Sequence, residues 1–386
     1  MVFINIINAG AFAMTMPITP AFIVNMGATL SFAGFVTGLI SFVALFTRPA
    51  ASLVGDRYNK KWLLMASTLS TGVVVLFYAF LPGVFWLLPT RILHGIFFSI
   101  SGTLSFALGA HFVPDKRMGE GIGYLGVGQV LGMPLGSNAG IYIVQNYSYE
   151  LCFILSGIIL VTAGLIIIVL RYDHPASAAP GSADMAAEKS VEISVKKTGF
   201  KFNDLIALAL LPNAIFAGLL MLGTGLSNSY LVMLGDERGI SNIGLFFIVH
   251  AIVLLVSRPF LGKLADRRGV KYAIIPGFLF SAAAVMGISF SHALLPILFS
   301  ALLMALGGGA FPAIQADCLK MLPGEKKALA TGTFFIGIDT FMGISQIFGG
   351  VSIDYLGFSL SFRAVGILVL IGLVIYLFYS KRREAK

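Results

Sequence analysis

The sequence predicts an all-helical integral membrane protein, with twelve transmembrane helices in two six-helix bundles related by an internal repeat. Three observations predict it. Of 386 residues, 58% are hydrophobic and 11% charged, with a mean hydropathy of +0.93. A soluble domain averages about 45–50% apolar and about 25% charged residues. Second, apolar runs long enough to cross a bilayer, about 20 residues each, recur twelve times. Third, a polar stretch from Tyr172 to Asp204, containing PASAAPGSADMAAEKS, has the composition of a linker and divides the runs into two sets of six.

Taken in order, the runs place helices at 2–24, 31–54, 62–81, 85–112, 120–144, 149–171, 205–233, 242–264, 272–290, 293–318, 328–349 and 358–380. The expected division is a first bundle over 1–171, a cytoplasmic linker over 172–204 and a second bundle over 205–386. The first run follows Met1 with no basic segment, so no cleavable signal peptide is read, and a few residues are expected to precede it. Asn146-Tyr147-Ser148 matches a glycosylation sequon in a tight loop and is read as a chance match. Cys152 and Cys318 both lie in or beside apolar runs, which gives no disulfide framework and no thiolate metal site.

The net charge of +9 is not gathered into a nucleic-acid-binding patch. Lys and Arg cluster after the second, fourth, eighth and tenth runs, in the linker and in the tail, while the opposite loops hold Arg238 and Arg363. Basic loops stay in the cytoplasm, so both termini are expected there.

The runs also repeat. Ser31, Gly34, Arg48, Pro49, Asp56, Arg57 and Lys61 recur 210 positions on as Ser241, Gly244, Arg258, Pro259, Asp266, Arg267 and Lys271. Gathering basic residues in a cytoplasmic loop explains the Lys and Arg. It does not explain an Asp at the membrane edge or the fixed glycine spacing one half-chain apart.

Gly262-x-Leu264-Ala265-Asp266-Arg267-x-Gly269-x-Lys271 resembles the signature loop of the major facilitator superfamily. Twelve runs and a central linker extend the resemblance over the whole chain. It implies two bundles rocking about a central site, the alternating-access design. The first copy departs from the pattern, with Ser52 and Asn59 in place of the two glycines, which implies a looser first lock. By the same resemblance, Asp56 would meet the eleventh helix and Asp266 the fifth. There each carboxylate would accept from the free N–H groups of a helix N-terminus. Arg57 and Arg267 would pair with Asp115 and Asp317. These residues, with Lys61 and Lys271, form the expected gate, against the plainer reading that the loops only set topology.

Ionisable side chains at membrane depth are costly and functional by default. Arg91 and His94, three apart in RILHG, share a helix face. The phrase is similar to the family's fourth-helix motif, whose Arg is associated with proton transfer in exporters. An unperturbed His titrates near about pH 6.5, so His94 is either a proton carrier or a hydrogen-bonded interface residue. Asp339 stands alone in TFFIGIDTFMG. An isolated charge in hydrocarbon is prohibitive, so it must be protonated, paired or cavity-facing, as a coupling carboxylate or a structural hydrogen-bond acceptor. His250, Arg48 and Arg258 are secondary candidates, the two arginines as headgroup anchors or gate caps.

Asn5, Asn8, Asn228, Tyr230, His250 and Gln129 are candidates for a substrate cavity, or simply join helices. The fifth run, GIGYLGVGQVLGMPLGSNAG, is similar to the exporter branch's Gly-rich motif at Gly132, Gly136 and Gly140, but Ser137 stands where that motif has Pro. Neither a nucleotide-binding loop nor a Ser-His-Asp arrangement is visible. The expectation is a proton-coupled exporter of a small, fairly apolar organic compound: monomeric, without cofactor or metal, no enzyme, in the plasma membrane. Uptake of a sugar or organic acid with protons, lipid flipping, and a non-transporting receptor are the alternatives.

Overall fold

Two prolines break the first span of this computed structural model, which describes residues 1–112, 118–170, 207–322 and 327–384. The linker expected at 172–204 lies outside them. Helix α1 runs Val2–Thr15 and α2 runs Thr19–Asn25. Pro17 has no N–H to give the Ala13 carbonyl four residues back. That carbonyl instead accepts from the Ser137 hydroxyl at 3.3 Å. The residue that departs from the exporter motif therefore repairs a proline break in the neighbouring helix.

Helices α3 (Leu30–Arg57), α4 (Lys60–Tyr78), α5 (Leu87–His111), α6 (Met118–Asn146) and α7 (Tyr149–Val169) complete the first six spans. Asn59, the residue that replaces a signature glycine, caps α4 by accepting from Lys61 N at 3.0 Å and Trp62 N at 3.4 Å. Its counterpart Gly269 ends the eighth span at φ +99°, a conformation suited to glycine. The two copies thus join their helices by different backbone conformations, extended at Asn59 and left-handed at Gly269. Both polar residues of the sequon have local structural partners: Asn146 donates to Tyr142 O, and Ser148 caps α7.

The second six spans are α8 (Leu211–Glu237), α9 (Leu245–Arg268), α10 (Lys271–Phe290), the pair α11 (Leu294–Gly308) and α12 (Ala310–Lys320), and α13 (Lys327–Glu384). Two further details differ from the expectation. The tenth run is two helices broken at Gly309, within a run of three glycines, where backbone order is least favoured. The eleventh and twelfth runs have no loop between them: helix continues through 350–356 and turns on Gly357 at φ +75°. Counting α1 with α2, α11 with α12, and α13 as two limbs gives twelve crossings, with no strand among the described residues.

An even number of crossings brings both chain ends to one side, the terminal end; the other is the far end. Gly132, Gly136 and Gly140 form a ridge along α6 against α1. A Cβ at Gly136 would lie 1.9 Å from Gly10 O, and one at Gly140 would lie 2.1 Å from Met14 O. Between the sets of six, α3 lies along the first limb of α13, α6 meets α9, and α2 touches α8. The two basic residues of the far end both tie α10 down. Arg238 donates to the carbonyls of Ile288, Ser289 and Ser291 and to the Ser359 hydroxyl. Arg363 lies 4.1 Å over the Phe290 ring.

Candidate functional site

The carboxylate that stood alone in the sequence is paired. Arg48 Nε, on α3, lies 2.8 Å from Asp339 Oδ2 on α13, so the ion pair joins one set of six spans to the other. Both atoms are buried, and at 2.8 Å the contact brings opposite charges together across the two sets of spans. The side chains are 31% and 12% exposed, and the Arg48 guanidinium also lies 5.8 Å from the centre of the Phe335 ring. Sequence reasoning ranked Arg48 below Arg91 and His94 as a site residue. The usable signal was its place in an Arg-Pro pair repeated at Arg258. The same 210-residue offset carries Asp339 onto Gln129, so the repeat supplies no second carboxylate. Arg258 Nε is buried without a hydrogen-bond partner among the described residues.

Arg91 and His94 lie apart from that pair, inside the first six spans. Arg91, 3% exposed, donates from Nε to Val36 O at 3.3 Å and from Nη1 to the Tyr78 hydroxyl at a long 3.5 Å. His94, 1% exposed, has no hydrogen-bond partner for either ring nitrogen among the described residues. Its ring is edge-on to Phe12 and Tyr78. The structure therefore brings Arg91 and His94 together with Tyr78, and Asp339 together with Arg48. Next to His94, Phe12 stacks on Phe98 at 3.8 Å and clusters with Met16, Ile40 and Met342, an apolar wall drawn from both sets of spans.

The remaining candidates divide by environment. Asn5 accepts from the Ser105 hydroxyl at 2.6 Å, joining α1 to α5. Tyr230 is fully buried and donates to Gln346 O at 2.8 Å, so it bolts α8 to α13 rather than lining a cavity. Asn8 Oδ1 is buried without a partner, as is Gln346 Oε1, a polar group the sequence reading passed over. Asn228 is half-buried, and half-buried His250 stacks parallel to Phe246. Lys61 donates to Ile168 O at 2.8 Å at the end of α7 and lies over Trp62; its repeat partner Lys271 lies over Tyr272. Asp317 accepts from Asn213 at 2.9 Å, while Arg267 is exposed and has no ion-pair partner among the described residues. Arg267 and Asp317 are therefore not paired here. Asp317, Asn213, Arg268 and Lys271 line a cavity of about 430 Å³ at the terminal end. Asp115 and the side chains of Asp56, Arg57, Asp266 and Gln129 lie outside the described residues.

Known proteins agree with this architecture. The chain is 24% identical over 384 residues to the multidrug resistance protein MdtG of Escherichia coli, covering 96% of this chain and 90% of that one. It is 24% identical over 357 residues to the multidrug resistance efflux pump PmrA of Streptococcus pneumoniae serotype 4, covering 90% and 84%. Its fold matches a bacterial homolog of the human lysosomal transporter Spinster with a TM-score of 0.77 at 12% identity, over 98% of this chain and 95% of that one. The Major Facilitator Superfamily model matches residues 1–241 and 214–386. With this match across the whole chain and twelve apolar crossings in two sets, the protein belongs to the Major Facilitator Superfamily of multi-pass membrane transporters.

Proposed function

We propose that the protein exports a small, fairly apolar organic compound in exchange for protons, moving it chemically unchanged by alternating access. In this reading it acts as a monomer, with both termini and the 172–204 linker in the cytoplasm and the bundles 1–171 and 205–386 rocking about the centre. One observation carries the proposal: the Arg48–Asp339 pair spans the two bundles. Protonating Asp339 removes its charge and with it most of the attraction that holds the bundles at that point. Proton uptake on one side and release on the other then alternates a contact that the bundles must make and break. The wall of Phe12, Phe98, Met16, Ile40 and Met342 suits an apolar, aromatic cargo, because flexible thioethers and ring faces adapt to varied shapes. Similarity to pumps named for multidrug resistance supports outward transport. The gate assigned from the signature loops, Asp56, Arg57, Lys61, Asp266, Arg267 and Lys271 with Asp115 and Asp317, completes the reading.

The test is transport in proteoliposomes with an imposed pH gradient. Wild-type flux is expected to follow the gradient, and Asp339→Asn to lose gradient-driven flux while keeping substrate exchange. Gradient-independent wild-type flux, or full coupling in Asp339→Asn, overturns the assignment. A second reading, movement of an organic acid with protons, is favoured by Arg91, a buried cation with no carboxylate partner among the described residues. Counterflow with neutral and anionic substrates separates the two.

A further inference from the structure

The far end of the α3–α13 pair holds an interaction between the bundles that the coupling pair and the signature loops do not explain. We propose that Asp354 is the lock of the far-side gate, a positioning residue for the transport cycle. The first N–H groups of a helix have no intrahelical partner and carry the positive end of its dipole. At the start of α3, Thr29 takes one of them, accepting from Phe32 N at 3.2 Å. Asp354 takes the others from the opposite bundle. Its Oδ1 accepts from Leu30 N at 3.2 Å, and its Oδ2 accepts from Ser31 N at 2.6 Å and from the Ser31 hydroxyl.

The contact is conditional. Asp354 lies three residues before the Gly357 break, in the last turn of its own helical limb, where the dipole disfavours an anion. Docked on α3, the carboxylate exchanges that end for three donors and the positive end of another helix. Below it the two helices meet too closely for cargo to pass. A Cβ at Gly34 would lie 2.6 Å from Gln346 O and 2.9 Å from Gly350 Cα, and one at Gly38 would lie 2.8 Å from Gly343 O. Opening the far side must part this seam, and with it the three bonds to Asp354.

The pair of helices is antiparallel, so the arrangement has a reciprocal. The signature-loop expectation sets Asp56, at the C-terminal end of α3, against the N-terminus of α13. Each helix of the pair then carries an Asp at its own C-terminal end for the N-terminus of the other. The lock here is the one at the far end.

This inference rests on the alternating-access reading, and its test separates the two. Reporter thiols are placed singly at Ser41→Cys, against Gly343 in the seam, and at Gly332→Cys, two turns from Asp339 on the same helix face toward the terminal end. The native Cys152 and Cys318 are buried. An impermeant maleimide is applied to each side of oriented vesicles. Asp354→Asn is expected to raise far-side labelling at position 41 about tenfold, the ratio that about 1.4 kcal/mol produces, and to lower labelling at position 332. Ser31→Ala is expected to move both the same way by less. Unchanged reporters in both variants, or a rise at both positions, overturns the lock. Arg48→Gln is the discriminating arm. If it shifts the reporters while Asp354→Asn and Ser31→Ala do not, the lock alone fails. If no variant shifts either reporter, alternating access fails with it.

Discussion

Replacing Arg48 by Met and Asp339 by Asn, singly and together, measures what the pair contributes. At 2.8 Å, two unit charges attract by about 6 kcal/mol at an effective dielectric of about 20 and by about 1.5 kcal/mol in water. Arg48 is about one-third exposed, so solvent screens the pair and the coupling belongs in the lower part of that range, about 2–3 kcal/mol. The singles are expected to differ. Asp339→Asn leaves a cation that cannot shed its charge, whereas Arg48→Met leaves a carboxylate that can take a proton. The deficit of Arg48→Met is therefore full where Asp339 is ionised and shrinks as pH falls. Thermal unfolding of the four proteins in detergent between about pH 5 and 8 gives the cycle. A coupling within about 0.5 kcal/mol of zero, or an Arg48→Met deficit independent of pH, would refute the assignment of this contact as the protonation-sensitive tie between bundles.

Two further outcomes follow from packing. Gly136→Ala sets a Cβ 1.9 Å from a backbone oxygen and must push α1 and α6 apart, costing about 1–3 kcal/mol. Gly102→Ala meets nothing within 4 Å and should stabilise by roughly 0.5–1 kcal/mol through helix propensity, so the melting temperatures are expected to move in opposite directions. Ser137→Ala leaves the Ala13 carbonyl, already deprived by Pro17, without its donor; a loss of about 1–3 kcal/mol is expected in thermal unfolding, with partial recovery in Ser137→Thr.

Much of the fold was legible because a bilayer enforces length and apolarity on each span, and those are properties of local sequence. The apolar runs, the division by a polar linker and the 210-residue repeat needed no partner to be read. Element breaks were less legible. Gly309 and Gly357 mark them, yet glycines also line α6, where they let α1 approach closely. Whether a glycine bends the chain or admits another helix depends on what stands opposite, which a single sequence does not state.

The site divides in the same way. From the sequence alone, the cost of burying charge singled out Asp339, Arg91 and His94, because that cost belongs to the residue itself. Their partners came only with the tertiary structure. Arg48 reaches Asp339 from 291 positions earlier in the chain, Asp354 reaches Ser31 across 323, and Tyr230 proves to be a bolt between helices. Polarity and hydropathy are set by the residue, and so the membrane, the spans and the charges that require compensation could be named in advance. Which groups supply that compensation is set by how α3 and α13 lie against each other, and only the folded chain decides it.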